Sequence, residues 1–232
     1  MATNESNLGA PRNRGVCGYA FLLAAVVGSG IMGERLASGN VAIGLLANSI
    51  ATGAVLVALI LAFGPISGAH FNPAVTLADG WQGDTIWRDV PPYIAAQVTG
   101  AVAGVAAAHL MFGESVLALS THERSGSAQL LSEFLATFGL LTVIWGCARF
   151  RPASVPYAVG AYITAAYWFT SSTSFANPAV TLARAMTNTF SGIRPVDVPG
   201  FIPAQLAGAF AASFLFRWLS PSRGNPGQGN CE

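Results

Sequence analysis

Asn72-Pro73-Ala74-Val75-Thr76 returns unchanged as Asn177-Pro178-Ala179-Val180-Thr181. The match continues through Leu77-Ala78 and Leu182-Ala183 and breaks at Asp79 and Arg184. Asn is a favoured N-cap, and Pro is tolerated at the first helical position, where its missing N–H would be unpaired anyway. Each string therefore reads as the start of a helix. Both copies lie in an apolar, Gly- and Ala-rich chain between segments long enough to cross a bilayer. Two helix N-termini directed into a membrane mark out a permeation path.

The composition fits a membrane setting. Hydrophobic residues make up 53% of the chain and charged residues 9%, against roughly 25% charged in a soluble domain. A net charge of +1 gives no reason to expect a nucleic-acid partner. Cys17, Cys147 and Cys231 are too few and too scattered for a disulfide framework or a metal site, so neither metal nor cofactor is expected. Residues 16–33 are long for the apolar core of a signal peptide and lack a cleavage site; they read as a first span.

Apolar stretches near the ~20 residues needed to cross a bilayer lie at 16–33, 41–63, 91–112, 128–148, 155–170 and 199–218. The repeated strings fall in inserts too short to span, after the second stretch and after the fifth. The halves match further: Tyr93 to Gln97 answers Phe201 to Gln205, and Gly100-Ala101 answers Gly208-Ala209. Three spans per half give the second copy the opposite orientation. Inverted repeats with short broken segments at matching places point to a site near the membrane midplane. With both termini cytoplasmic, Arg12, Arg14, Arg88, Arg149, Arg151, Arg217 and Arg223 lie inside and Arg35, Arg124 and Arg194 outside. The positive-inside rule selects that orientation. The inserts then dip from opposite faces and meet.

At that meeting the side-chain oxygen of each Asn caps its own first turn. Its NH₂ donors are left to face the path. Each half-helix brings roughly half a positive charge to its N-terminus. A neutral solute with hydroxyl oxygens can accept from Asn72 and Asn177, whereas a cation meets two positive ends. Non-helical backbone before each Asn is tolerable at membrane depth only beside a water-filled path.

The stretch Ser67-Gly68-Ala69-His70-Phe71-Asn72-Pro73-Ala74-Val75-Thr76, with its second Asn-Pro-Ala copy, resembles the aquaporin superfamily, the major intrinsic proteins. The resemblance covers essentially the whole chain. It implies an all-α membrane protein with six transmembrane helices and two re-entrant half-helices in an inverted repeat. One domain would fill residues 1–232, with repeats at about 16–112 and 128–218. It further implies a right-handed bundle, one pore per subunit, a homotetramer, and a multi-pass protein of the cell inner membrane. The partners would be lipid and small neutral solutes, and no reaction would be catalysed.

The family's pore residues carry over to Asn72, Pro73, Ala74, Asn177, Pro178 and Ala179. Most members have Arg directly after the second Asn-Pro-Ala; here Val180 stands there. The other filter positions, counted from the motifs, fall on Thr52, Ala165 and Ser174. Such a filter would be wide and without a fixed cation. The family's fourth-span carboxylate is present as Glu133, where it would support the second insertion. Its first-span counterpart would fall near Gly15 and is missing, which would loosen the first insertion. Val in place of the filter Arg is similar to bacterial aquaglyceroporins associated with arsenic-resistance operons. That likeness implies water, glycerol-like polyols, arsenite and methylated arsenicals as solutes, although neither spacing nor composition shows arsenic.

Arg184 lies four residues beyond Val180, on the same helical face. It reads either as a vestibule cation that partly replaces the missing Arg, or as a structural cation at the end of a short helix; the second reading weighs more. Asp79 is its counterpart. His70, inside the recognised signature, belongs at the cytoplasmic pore mouth, with a packed loop histidine as the plainer alternative. His109 and His122 read as structural. Trp81, Trp87, Trp168 and Trp218 suit interfacial anchoring.

Two other classes compete. An intramembrane serine protease would use Ser67, but Gly64-Pro65-Ile66-Ser67-Gly68 has the wrong spacing and the last three spans hold no histidine. A coupled secondary transporter also uses broken helices. It needs intramembrane carboxylates, and only Glu133 is available.

Overall fold

The computed structural model describes residues 16–116 and 118–219. Gly15, Cys231 and both polar tails, with Arg12, Arg14 and Arg223, lie outside them. The described residues form α1 (Val16–Leu36), α2 (Val41–Ser67), α3 (Pro73–Gln82), α4 (Val90–Phe112), α5 (Ser127–Phe150), α6 (Val155–Phe169), α7 (Pro178–Arg184) and α8 (Val198–Leu219). Local sequence sets the ends. Asn40 begins α2 by accepting from the N–H groups of Ala42 at 3.1 Å and Ile43 at 3.3 Å. Gly68 ends it with φ 78°, a left-handed closing residue for which glycine is suited.

Helices α1, α2, α4, α5 and α8 are each long and apolar enough to cross a membrane. The fifth expected span is shorter than the others. With 15 residues, α6 rises about 22 Å, less than a bilayer core. A 3-10 turn at Pro152–Ser154 precedes it, and Thr170 turns to extended backbone (φ −111°, ψ 138°) after it.

Packing repeats between the halves. α1 packs on α2 and α4, and α5 on α6 and α8; α3 lies against α8, and α7 against α4. The half-helices touch each other, and α2 meets α6 at the seam. That seam is tight. A Cβ on Gly160 would sit 2.6 Å from the Gly53 carbonyl oxygen, and one on Gly53 would sit 2.7 Å from that of Gly160. Small residues let backbones approach in this way. The core runs through Leu22, Val26, Val105, Leu140, Leu141 and Ala179. Outward faces carry Phe21, Ile43, Ile50, Leu131, Leu135 and Phe214, and Trp81, Trp87, Trp168 and Trp218 are all exposed. So much exposed apolar surface suits lipid or a protein neighbour, not water.

Candidate functional site

The two half-helices begin alike. Asn72 and Asn177 are extended, and their side-chain oxygens accept from the N–H groups of Ala74 at 2.9 Å and Ala179 at 3.0 Å. Asn177 also takes Val180 N–H at 3.3 Å. Pro73 and Pro178 occupy the first helical positions, and Ala74 and Ala179 are buried where the ends converge. The amide nitrogens cross over. Asn72 Nδ2 donates to Ala176 O and Asn177 Nδ2 to Phe71 O, each at 2.6 Å. An amide has two N–H donors. One of each is therefore spent on fastening the insertions together, and one remains for a solute, where capping alone would leave both.

The backbone before each Asn passes repeatedly through the left-handed region. Ala69 and Phe71 have φ of 45° and 47°, and Ser174 and Ala176 have 50° and 48°. Non-glycine residues held there cost about 1–3 kcal/mol each and need support from their surroundings. In the second insertion the support is Glu133. Its carboxylate, fully buried, accepts from Phe175 N at 2.9 Å, Ala176 N at 2.8 Å and Gln205 Nε2 at 2.6 Å. In the first insertion His70 N donates instead to Tyr93 OH at 3.2 Å, and Tyr93 OH donates to Ser67 O at 2.8 Å. Tyr19 packs edge-on against Phe71 and Tyr93, with ring centroids 5.0 Å and 6.3 Å away. Phenols fill the place that a carboxylate fills in the other half. Nothing in the sequence marks Tyr19 for this role, and Tyr93 stands out there only as part of the repeat.

A cavity of about 120 Å³ runs past both asparagines. One wall is apolar. Thr52, Leu56 and Ile60 of α2 and Val155, Val159, Ile163 and Tyr167 of α6 line it at four-residue spacing, with Leu22 and Val26 of α1. The facing wall is the non-helical backbone at 68–71 and 174–176 with Asn72 and Asn177. Such a path is greasy on one side and hydrogen-bonding on the other.

At one end Thr52, Ser174 and Val180 line the cavity. Ala165 does not. It is exposed on the outer surface of α6, and Tyr167 holds the inward position, with its OH 3.2 Å from Thr52 Oγ1. Two residues turn a helix through about 200°, so a count back from Asn177 through a non-helical loop lands on the wrong face. Arg184 also lines the cavity while only 1% exposed. Its guanidinium carbon lies 3.4 Å from the centroid of the Phe175 ring, and Nε donates to Ser191 O. Nearby Arg124, from the loop before α5, donates to Gly192 O at 2.8 Å and Ser172 O at 3.0 Å and stacks on the same ring at 5.0 Å. Its backbone N–H donates to Asp197, whose carboxylate also accepts from Arg194; that hydrogen bonding holds the Arg194 pKa above its ordinary value. The sequence marks Arg124 only as an outer-loop charge.

At the opposite end His70 lines the cavity, with Nδ1 3.2 Å from Thr76 Oγ1 and Nε2 3.8 Å from Asp79 Oδ2. His109 is structural, buried against Thr187 Oγ1 at 2.7 Å.

Apolar spans, two half-helices meeting end to end and a cavity between them define an all-helical membrane channel, not an enzyme. The chain belongs to the major intrinsic protein family, whose model matches residues 16–174. It is 57% identical over 207 residues to the aquaglyceroporin AqpS of Rhizobium meliloti (strain 1021), covering 89% of this chain and 88% of that protein. It is 36% identical over 174 residues to the aquaporin NIP1-3 of Oryza sativa subsp. japonica, covering 72% and 60%. The X-ray structure of the aquaglyceroporin from Plasmodium falciparum superposes with a TM-score of 0.70 at 19% identity, over 89% of this chain and 94% of that one, and shares the fold.

Proposed function

We propose that this passive channel conducts water and glycerol-sized uncharged solutes, and by the same chemistry neutral metalloid hydroxides. The observation that carries the reading is Val180 on the outer cavity wall, where a long basic side chain would narrow the path. Asn72 and Asn177 are the central constriction, each with one N–H for a passing hydroxyl, and Glu133 keeps the second insertion in shape. Thr52, Tyr167, Ser174 and Val180 form the outer filter, and His70 the inner mouth. The name of the Rhizobium relative, an aquaglyceroporin, supports glycerol as a solute. Coupled transport finds no support, because the Glu133 carboxylate is taken up by three donors. The matched packing of the halves supports an inverted repeat of about 16–112 and 128–218. Arg placement supports cytoplasmic termini for a multi-pass protein of the cell inner membrane, and the exposed apolar faces are suited to a homotetramer. A terminal reporter fusion and native mass spectrometry test those two.

The solute test is vesicle swelling with paired water and glycerol gradients. Val180→Arg should lose glycerol flux by about tenfold or more, one lost order for each ~1.4 kcal/mol of added barrier, while water flux falls less. Equal loss of both, at matched protein abundance, would sink the size-filter reading. Arsenite uptake in the same vesicles tests the metalloid.

A further inference from the structure

Arg184 is a fully buried cation with no carboxylate within 4.0 Å among the described residues. Long side chains on a helix lean back toward its N-terminus. From position 184 that direction carries the guanidinium past Val180 to the face of Phe175, in the non-helical segment before Asn177. The contact does not satisfy the end of α7. The carbonyls of Leu182 and Ala183 are taken by backbone N–H groups of Ala185 and Met186, and Arg184 Nε goes to Ser191 O. Its Nη1 is buried with no hydrogen-bond partner among the described residues, and the same is true of Ser174 Oγ. Both residues line the cavity. Buried charges and hydroxyls are ordinarily paired. Two buried, unpaired polar atoms beside a solute path call for an acceptor that comes and goes.

We propose that Arg184 is the fixed cation of the outer filter, supplied from one helical turn beyond the usual position. With Ser174 it forms a binding subsite for uncharged solutes rich in oxygen, such as polyols and undissociated oxyacids. The inference rests on the uncharged-solute reading above and deepens it. Val180 sets the width and Arg184 sets the charge; the two properties, combined in one side chain in most of the family, are here divided between two positions. A channel built this way admits wider solutes without giving up a positive barrier to cations.

The experiment uses the full chain in vesicles, reading water, glycerol and potassium or proton flux at matched protein content. Arg184→Gln should lower the glycerol-to-water flux ratio by about tenfold, as expected for one charge-assisted hydrogen bond, and should let cations leak. Arg184→Lys should retain cation exclusion and lose part of the glycerol preference. Arg184→Gln combined with Val180→Arg should restore cation exclusion while glycerol flux stays low, a rescue that a merely structural role would not give. An Arg184→Gln channel with the wild-type flux ratio and no cation leak would overturn the proposal. If that variant does not fold, Ser174→Ala decides it, since an unchanged glycerol-to-water ratio there also overturns it. If the wild type passes water but no glycerol, the solute reading fails separately, and the cation-leak measurement still decides the role of Arg184.

Discussion

Asn177 uses one amide in three directions: the oxygen caps α7, one N–H fastens the opposite insertion through Phe71 O, and one N–H is left for the path. The first use was legible from Asn-Pro alone, because capping is local. The second was not, since nothing in the sequence says which carbonyl a left-handed turn presents across the membrane midplane. An Asp at this position would set a carboxylate against Phe71 O at the present 2.6 Å. That removes a hydrogen bond and adds repulsion, a cost of about 1–3 kcal/mol for the group left unsatisfied. Asn177→Asp should therefore cut neutral-solute flux by roughly an order of magnitude or open a cation leak. Vesicle swelling with a parallel ion-flux assay checks it, and wild-type behaviour on both counts would remove Asn177 from the constriction. Val180 and Ser174 were equally readable, being fixed to the motif by short spacing. Ala165 was misplaced because its distance from Asn177 includes the turn at Thr170 to Ala176, where residues do not advance at helical pitch.

The insertions look equivalent as elements and are supported by different chemistry. Asn-Pro-Ala and the left-handed residues recur at equal spacing, yet one turn is clamped by a carboxylate and the other by tyrosines. Glu133 was legible as a buried acid in a span, which needs donors to be tolerated. Tyr19 and Arg124 were not, because an aromatic in a span or an Arg in a loop has many uses and only tertiary placement chooses among them. The clamps should differ in worth. Glu133→Gln replaces one accepting oxygen by an NH₂ facing a backbone N–H, which should cost about 1–3 kcal/mol and speed amide exchange at 173–176. Tyr19→Phe should cost less, because it keeps the edge-on ring packing against Phe71 and Tyr93 and removes only a neutral hydroxyl where Glu133 carries a charge-assisted acceptor. Melting in detergent with hydrogen exchange at both turns compares them. Equal effects would mean that the two insertions do not depend on these clamps as drawn.

For the whole molecule, the decisive surface is the seam between halves, because the cavity lies between α2 and α6 on one side and the insertions on the other. Its width is set where Gly53 and Gly160 let two backbones touch. The apolar stretches made the spans readable by length. Gly160 alone does not announce this crossing, because the face a glycine presents depends on helix phase and on a partner from the other half. A side chain at Gly160 has no empty space to enter: its Cβ would meet Gly53 O at 2.6 Å and the Val57 side chain as well. Overpacking of this kind costs about 1–3 kcal/mol where neighbours can yield, and backbone yields less than a rotamer. Gly160→Leu should therefore part the halves, lowering the melting temperature and broadening the detergent size-exclusion peak. Gly146 supplies the comparison: it lies inside α5, a Cβ there would meet the Phe216 side chain at an ordinary 3.5 Å, and as Ala it should gain up to about 0.5–1 kcal/mol in helix preference. If Gly160→Leu and Gly146→Ala melted alike, close contact at the seam would not be what holds the two halves at their present separation, and the pore's width would have to be set by the insertions alone.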